Sequence, residues 1–411
     1  MKGAWSRQET RAAVLRYLWR SGGSFRPDVI AHVGLTDASI SRIVTDLKAE
    51  GLVDETRKRA PYRGGPSTFL TLSESQFVAT IELSNNRAHV GVGNLKGEAL
   101  FSEQHDLPDG TAAMAAENIT AAAIARMAEW CTRHDIVLRQ IAVSIPGYHP
   151  GQASNPIVAL RPDFITRTLE AALPDVPATF ANSIVTRALA HRLQIGVTRD
   201  ERPYFYVFLG HGVGGAFVDE SAGSDDVLPC EIGHMIMDPQ GARCRCGHSG
   251  CLEAYVSTGA MAPLFGKAEQ HMLAPRDSWR EGVRLSSHVP SHARAEIGIR
   301  LAQLGTAIGN ALNLNRVRRV VIAGWPSQLQ DKARPALSAG IDQSLFGGAA
   351  SVELSFSAMK PGREPASGIA LATFAFIGRG GHVVPAPGRK RARRLEPDDF
   401  RRSHKVTPSE I

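Results

Sequence analysis

Three cysteines, Cys244, Cys246 and Cys251, fall within eight residues, and His234 lies ten residues upstream of the first. Two carboxylates flank the group, Glu231 before the histidine and Glu253 after the last thiol. Thiolates and imidazole suit Zn2+, and four of them close a tetrahedron, so a Cys3His set has the ligand count of a structural zinc site. Gly247 and Gly250 let the chain fold back between the second and third thiols. A disulfide with one free thiol is the competing reading. Five cysteines in 411 residues of a cytosolic-type chain fit a metal cluster better than a disulfide framework. The carboxylates suit a different chemistry, because each accepts hydrogen bonds from a polyol. A metal-bound imidazole also keeps a second nitrogen that can face a ligand.

Glu-x-Gly-His, followed by the Gly-x-x-Cys-x-Cys-Gly-x-x-Gly-Cys-Leu-Glu run that starts at Gly241, resembles the signature of the ROK family. That family groups transcriptional repressors, uncharacterised reading frames and sugar kinases, and the resemblance extends from about residue 7 to about residue 376. It implies that the zinc held by His234, Cys244, Cys246 and Cys251 is structural and shapes a sugar pocket. It further implies that Glu231, His234 and Glu253 contact sugar hydroxyls, with Gly147 and Asn182 on the same side of the pocket.

These residues need elements to position them, and the chain is long enough to supply two or three domains. Its hydrophobic content of 43% is enough for real cores. No apolar run approaches the roughly 20 residues of a membrane span, and the first residues, with Arg7, Glu9 and Arg11 near Trp5, lack a secretory signal. A cytoplasmic protein is therefore expected, in a compartment that keeps thiolates reduced. The net charge of +7 hints at an anionic partner.

Residues 1–72 are expected to form a winged helix-turn-helix. Ala12, Leu15, Leu18 and Trp19 recur at helical spacing; Pro27 opens a second helix with Val29, Ile30 and Val33, and Gly34 ends it. Thr36 can cap a third helix whose inward stripe is Ile40, Ile43, Val44 and Leu47. Leu52-Val53 and residues 68–72 would pair across a basic loop running from Arg57-Lys58-Arg59 to Arg63. Such modules lay the second helix of the motif in the major groove of double-stranded DNA while the wing reaches backbone or minor groove. The candidate DNA contacts are Thr36, Ser39, Ser41, Arg42 and Thr45 on the helix, and Arg57, Lys58, Arg59 and Arg63 in the wing.

Residues 73–377 alternate strands and helices, an α/β pattern with sites in glycine turns. By resemblance this is a two-lobed actin-like ATPase fold, with lobe 1 at about 73–195 plus 361–377 and lobe 2 at about 196–360. Residues 378–411 are Pro-, Gly- and Arg-rich, include the basic run Arg389 to Arg394, and are expected to be disordered.

Kinase members of the family carry an Asp-x-Gly-Gly-Thr phosphate turn, where this chain has Glu82-Leu83-Ser84-Asn85-Asn86. They carry an aspartate as general base where this chain has Ser183, and serine is not a base near neutral pH without a partner. His211 replaces a threonine in the second phosphate loop, and Trp325 enters the adenosine-side turn. The resemblance therefore implies a non-enzymatic regulator, most simply a repressor, that binds a sugar or sugar derivative and acts as a homodimer or dimer of dimers. A sugar kinase with an appended DNA-binding module, or a DNA-binding protein without an effector, is the alternative.

Overall fold

The computed structural model describes residues 6–59, 66–84, 87–107, 113–150, 158, 160–195, 202–219, 227–265, 291–348, 351–357 and 366–382. Arg63, Asn85, Asn86 and the basic run at 389–394 lie outside them. Two units emerge, one of residues 1–145, 150–181 and 365–411, the other of 146–149 and 182–364.

The first unit begins with α1 (Arg7–Ser21), whose N-terminus is closed by a capping box between Ser6 and Glu9. Ser6 N donates to Glu9 Oε2 at 2.7 Å, satisfying backbone groups that the helix itself leaves unpaired. Strand β1 (Ser24–Phe25), α2 (Arg26–Val33) and α3 (Asp37–Ala49) follow, with Thr36 capping α3 through Ser39 N. Ile40, Val44 and Leu47 of α3 are buried, as are Leu15 and Leu18 of α1, the helix against which α3 packs. Strands β2 (Val53–Arg59) and β3 (Pro66–Leu72) pair antiparallel from Val53↔Leu72 to Arg59↔Pro66, and β1 adds to the other side of β3. Two points differ from the sequence expectation. Arg57, Lys58 and Arg59 belong to a strand rather than a loop, and a third strand exists. Strand β1 has only two residues, too short for any alternation to register.

The chain continues into a five-stranded sheet of β4 (Phe77–Ser84), β5 (Arg87–Asn94), β6 (Ala99–Asp106), β7 (Leu138–Ile145) and β8 (Ala178–Asn182), ordered β6-β5-β4-β7-β8. Helices α4 (Ala113–Arg133) and α5 (Pro162–Ala172) fill the crossovers. Central β4 is buried along nearly its whole length, as a strand covered on both faces must be, whereas edge strand β6 is not.

The second unit opens with α6 (Ser183–Ile195), a helix the sequence reading placed in lobe 1. Its sheet comprises β9 (Tyr204–Leu209), β10 (Val213–Val218), β11 (Val227–Cys230), β12 (Arg319–Gly324) and β13 (Glu353–Phe356), ordered β11-β10-β9-β12-β13. Helices α7 (Glu253–Val256), α8 (Thr258–Phe265), α9 (Ser291–Asn313) and α10 (Arg334–Ser344) share one core with one face of it, and α6 packs with the other. The chain then returns to the first unit as α11 (Ala366–Gly378). In each sheet the first three strands run as an antiparallel meander, and the fourth lies parallel beside the first. The two units thus repeat one topology without a repeat in sequence.

Candidate metal centre and effector site

His234, Cys244, Cys246 and Cys251 converge, with all their ligand atoms within 4.8 Å of one another. Cys246 Sγ lies 3.6 Å from Cys251 Sγ, and Cys244 Sγ lies 3.9 Å from His234 Nδ1. A tetrahedron with Zn–S bonds of about 2.3 Å has edges of about 3.8 Å, so these two donor pairs stand near the spacing such an ion requires, and the whole set lies within about one ångström of it. Because Nδ1 faces the thiols, Nε2 of His234 is the nitrogen left for another partner.

The backbone explains this convergence. His234 ends a short 3-10 turn (Ile232–His234), and Gly233 within it sits so close to β10 that a β-carbon would lie 2.2 Å from Val213 O. Gly250 has φ +74°, and a β-carbon there would lie 1.5 Å from Asp238 O. Glycine is therefore required at both positions for the loop to close. Backbone bonds from Cys244 N to His248 O at 2.8 Å and from Gly250 N to Ala242 O at 2.7 Å complete the fold-back. Tyr255 Oη accepts from Ala242 N at 2.9 Å and anchors the loop to α7.

Burial pushes the Cys244 thiol up, and pushes Cys251 up to about 12. The backbone N–H of His248 instead holds the exposed Cys246 thiol down, to about 6. A divalent cation bound by this set would displace the thiol protons, so its binding would depend on pH.

The carboxylates proposed for ligand contacts flank these ligands in the chain. Glu231 Oε1 is 3.4 Å from Asn182 Nδ2 and 3.4 Å from His149 Nε2. Asn182, at the end of β8, is buried and also accepts from Ile184 N at 3.2 Å, which fixes its amide at the start of α6. Ser183 is the first residue of that helix. Gly147 has φ +64° and turns the chain two residues before His149. Glu253 opens α7 and accepts from Val213 N through Oε2 at 2.9 Å, which ties it to the glycine turn between β9 and β10. Arg245 of the cysteine loop reaches that turn too, donating to His211 O at 3.0 Å. Trp325 is buried and donates from Nε1 to Val256 O at 2.8 Å, so its indole fills core volume.

Sequence reasoning missed His149, Arg245 and Tyr255. None belongs to the ligand pattern, and His149 is separated from Glu231 by more than eighty residues. The Pro146-Gly147 turn was the one available signal that a side chain just beyond it would be presented to the site.

A second candidate surface lies in the first unit. Ser39, Arg42 and Thr45 are exposed on α3, opposite its buried stripe. Ser41 is half-buried: its hydroxyl donates to Asp37 O at 2.6 Å and accepts from Arg26 Nη2. Arg26 also lies 3.5 Å from Asp37, so it braces the start of α3 from α2, a role the sequence did not suggest. Strand alternation places Arg57 and Arg59 on the face of the hairpin that carries Val53, Leu70 and Leu72 into the core. Lys58 points to the other face, with Nζ 4.0 Å from the Phe69 ring centroid.

Residues 78–370 match the family model described as the ROK family. The chain is 27% identical over 365 residues to the DNA-binding transcriptional repressor Mlc of Escherichia coli K12, covering 83% of this chain and 86% of that protein. It is 24% identical over 349 residues to the DNA-binding transcriptional dual regulator NagC of the same organism, covering 82% and 85%. Among solved structures, a ROK family transcriptional regulator homologous to E. coli Mlc superposes with a TM-score of 0.69 at 22% identity, covering 91% of this chain and 97% of that one. The match over most of the chain, the α/β fold and the Cys3His loop together make this protein a member of the ROK family.

Proposed function

We propose that the protein is a DNA-binding transcriptional repressor, controlled by a sugar or sugar derivative bound beside a structural zinc site. The observation that carries this reading is the pairing, in one chain, of a capped helix with exposed Ser39, Arg42 and Thr45 and a cluster of hydroxyl-binding groups around Glu231 and His234. In this reading residues 1–72 are a winged helix-turn-helix, α3 enters the major groove, and Arg57 and Arg59 neutralise phosphate. The resemblance to Mlc and NagC supports it.

His234 and the three thiols would hold zinc, which would act structurally because four protein ligands leave no open position. The chain's own groups do the rest. Glu231, held by Asn182 and His149, and Glu253, held by the Val213 amide, present carboxylate oxygens to ligand hydroxyls. Asn182 Nδ2 and His234 Nε2 supply the opposite polarity. Phosphoryl transfer is not part of the reading, because Ser183 begins a helix where the kinases place their base.

Capture of genomic fragments by the purified protein, followed by footprinting, tests the proposal. A single enriched sequence class whose protection depends on Arg42 is the expected result. Hexose-dependent ATP turnover at about 1 per second or faster, without any enriched sequence, would favour the kinase alternative.

A further inference from the structure

Helix α11 is fastened at both ends, and both attachments lie within the first unit. At its start, Gly368 N donates to Glu82 Oε1 at 2.9 Å. The approach to β4 is so close that a β-carbon on Gly368 would lie 1.7 Å from Thr80 Oγ1. Glu82 is the acidic residue of the stretch that stands where kinases of this family bind phosphate. Here its carboxylate lies at a helix N-terminus, where backbone N–H groups lack intrahelical partners and favour negative charge.

At the other end, Gly380 O accepts from Arg11 Nε at 2.8 Å. Arg11 Nη1 reaches Glu50 Oε1 at 2.8 Å, and its Nη2 reaches Glu50 Oε2 at 2.5 Å. Glu50 is the C-cap of α3. Trp19 of α1 and Phe374 of α11 pack with ring centroids 5.8 Å apart, beside this contact. A single guanidinium therefore joins the first helix, the end of the DNA-facing helix and the end of α11.

Arg11 is 2% exposed, and a buried cation is tolerated only when it is fully paired. The planar fork matches one carboxylate with two nitrogens and leaves Nε for a third acceptor. Should Gly380 shift relative to Glu50, the arginine would lose a partner while still buried, so the two acceptors are constrained to move together. The helix that links the attachments has thirteen residues, and the part from Gly368 to Gly378 spans about 16 Å at 1.5 Å per residue.

We propose that α11 is a strut coupling the strand that carries Glu82 to the DNA-facing helix, with Arg11 as the positioning residue at the junction. The functional consequence rests on reading α3 as the helix that enters DNA, whereas the coupling itself does not.

Hydrogen–deuterium exchange on the full chain, without ligand or DNA, tests the coupling. Glu50→Gln, at a half-exposed carboxylate, is expected to speed exchange at least tenfold both in residues 44–51 and in residues 374–381. Acceleration confined to residues 7–51 would overturn the proposal. Glu82→Ala is expected to speed exchange in residues 44–51 as well as at the start of α11, and an effect limited to residues 78–84 and 366–370 would also overturn it. If Glu82→Ala does not fold, Glu82→Gln and Glu50→Gln decide the question in the same way. A duplex selected with the wild-type chain from a randomised pool then gives the functional arm. Glu82→Ala should lower affinity for it at least fivefold while the content of bound zinc stays unchanged. Unchanged affinity overturns the strut's role in DNA binding. A wild-type chain that selects no duplex refutes the DNA-binding reading, while the exchange result still decides the coupling.

Discussion

Replacing Glu253 by Gln and by Ala separates two roles of one carboxylate. Its Oε2 accepts from Val213 N at 2.9 Å, and Val213 is 4% exposed, so the bond is charge-assisted and largely shielded from water. A hydrogen bond to a charged group contributes about 1.5–3 kcal/mol net and a neutral one about 0.5–1.5 kcal/mol. Gln keeps a carbonyl oxygen at the same reach, so Glu253→Gln should cost about 1 kcal/mol. Glu253→Ala leaves a buried N–H without a partner and should cost about 2–3 kcal/mol. At roughly 2–4 °C per kcal/mol, melting temperatures should fall by about 3 °C and about 8 °C. Scanning calorimetry of zinc-replete protein reads the difference, with metal content measured on the same samples. In the effector role, Gln also removes one acceptor of a ligand hydroxyl, so the sugar concentration that shifts DNA binding should rise about tenfold. Equal thermal losses for Gln and Ala would refute the claim that Glu253 holds the turn between β9 and β10. Normal sugar sensitivity in Glu253→Gln would refute its contact with the effector.

Metal analysis of reduced protein should give about one zinc per chain, and Cys246→Ser should lose it and destabilise the 235–252 loop, as read by limited proteolysis. His191 is buried against Tyr206 and bonded to Ser357, and burial, with Arg319 adding, pushes its pKa down to about 4. Its contribution to stability should be complete above about pH 6.5 and lost as pH falls towards 4, a change of about 3 kcal/mol that His191→Asn should abolish in denaturation curves. Arg59→Ala should weaken binding to all duplexes alike and lower the salt dependence, while Lys58→Ala, whose ammonium lies over Phe69, should do neither.

The first three helices were legible because their signals are local. The Thr36 cap, the stripe at Ile40, Ile43, Val44 and Leu47, and the glycines at 22 and 34 each act within a few residues. The four metal-ligand candidates were legible for the same reason, since one segment from His234 to Cys251 and two tight glycine contacts bring them together. What escaped was non-local. Pairing of Phe25 with Phe69, the contact of His149 with Glu231 and the fork from Arg11 to Glu50 and Gly380 join segments whose sequences carry no mutual mark. The shared topology of the two sheets is invisible for a related reason. Hydrogen-bond order is set by backbone, and different side chains fill the two cores.

The central claim is that ligand occupancy beside the metal centre governs DNA binding. It is tested most directly by fluorescence anisotropy of the selected duplex with the full chain, titrated with glucose, N-acetylglucosamine and their 6-phosphates in turn. One of these should weaken binding at least tenfold for the wild type, and this response should be lost when Glu231 is changed to Gln while sugar-free affinity is kept. A tightly bound duplex that none of the sugars displaces, or a response that survives Glu231→Gln unchanged, would contradict it.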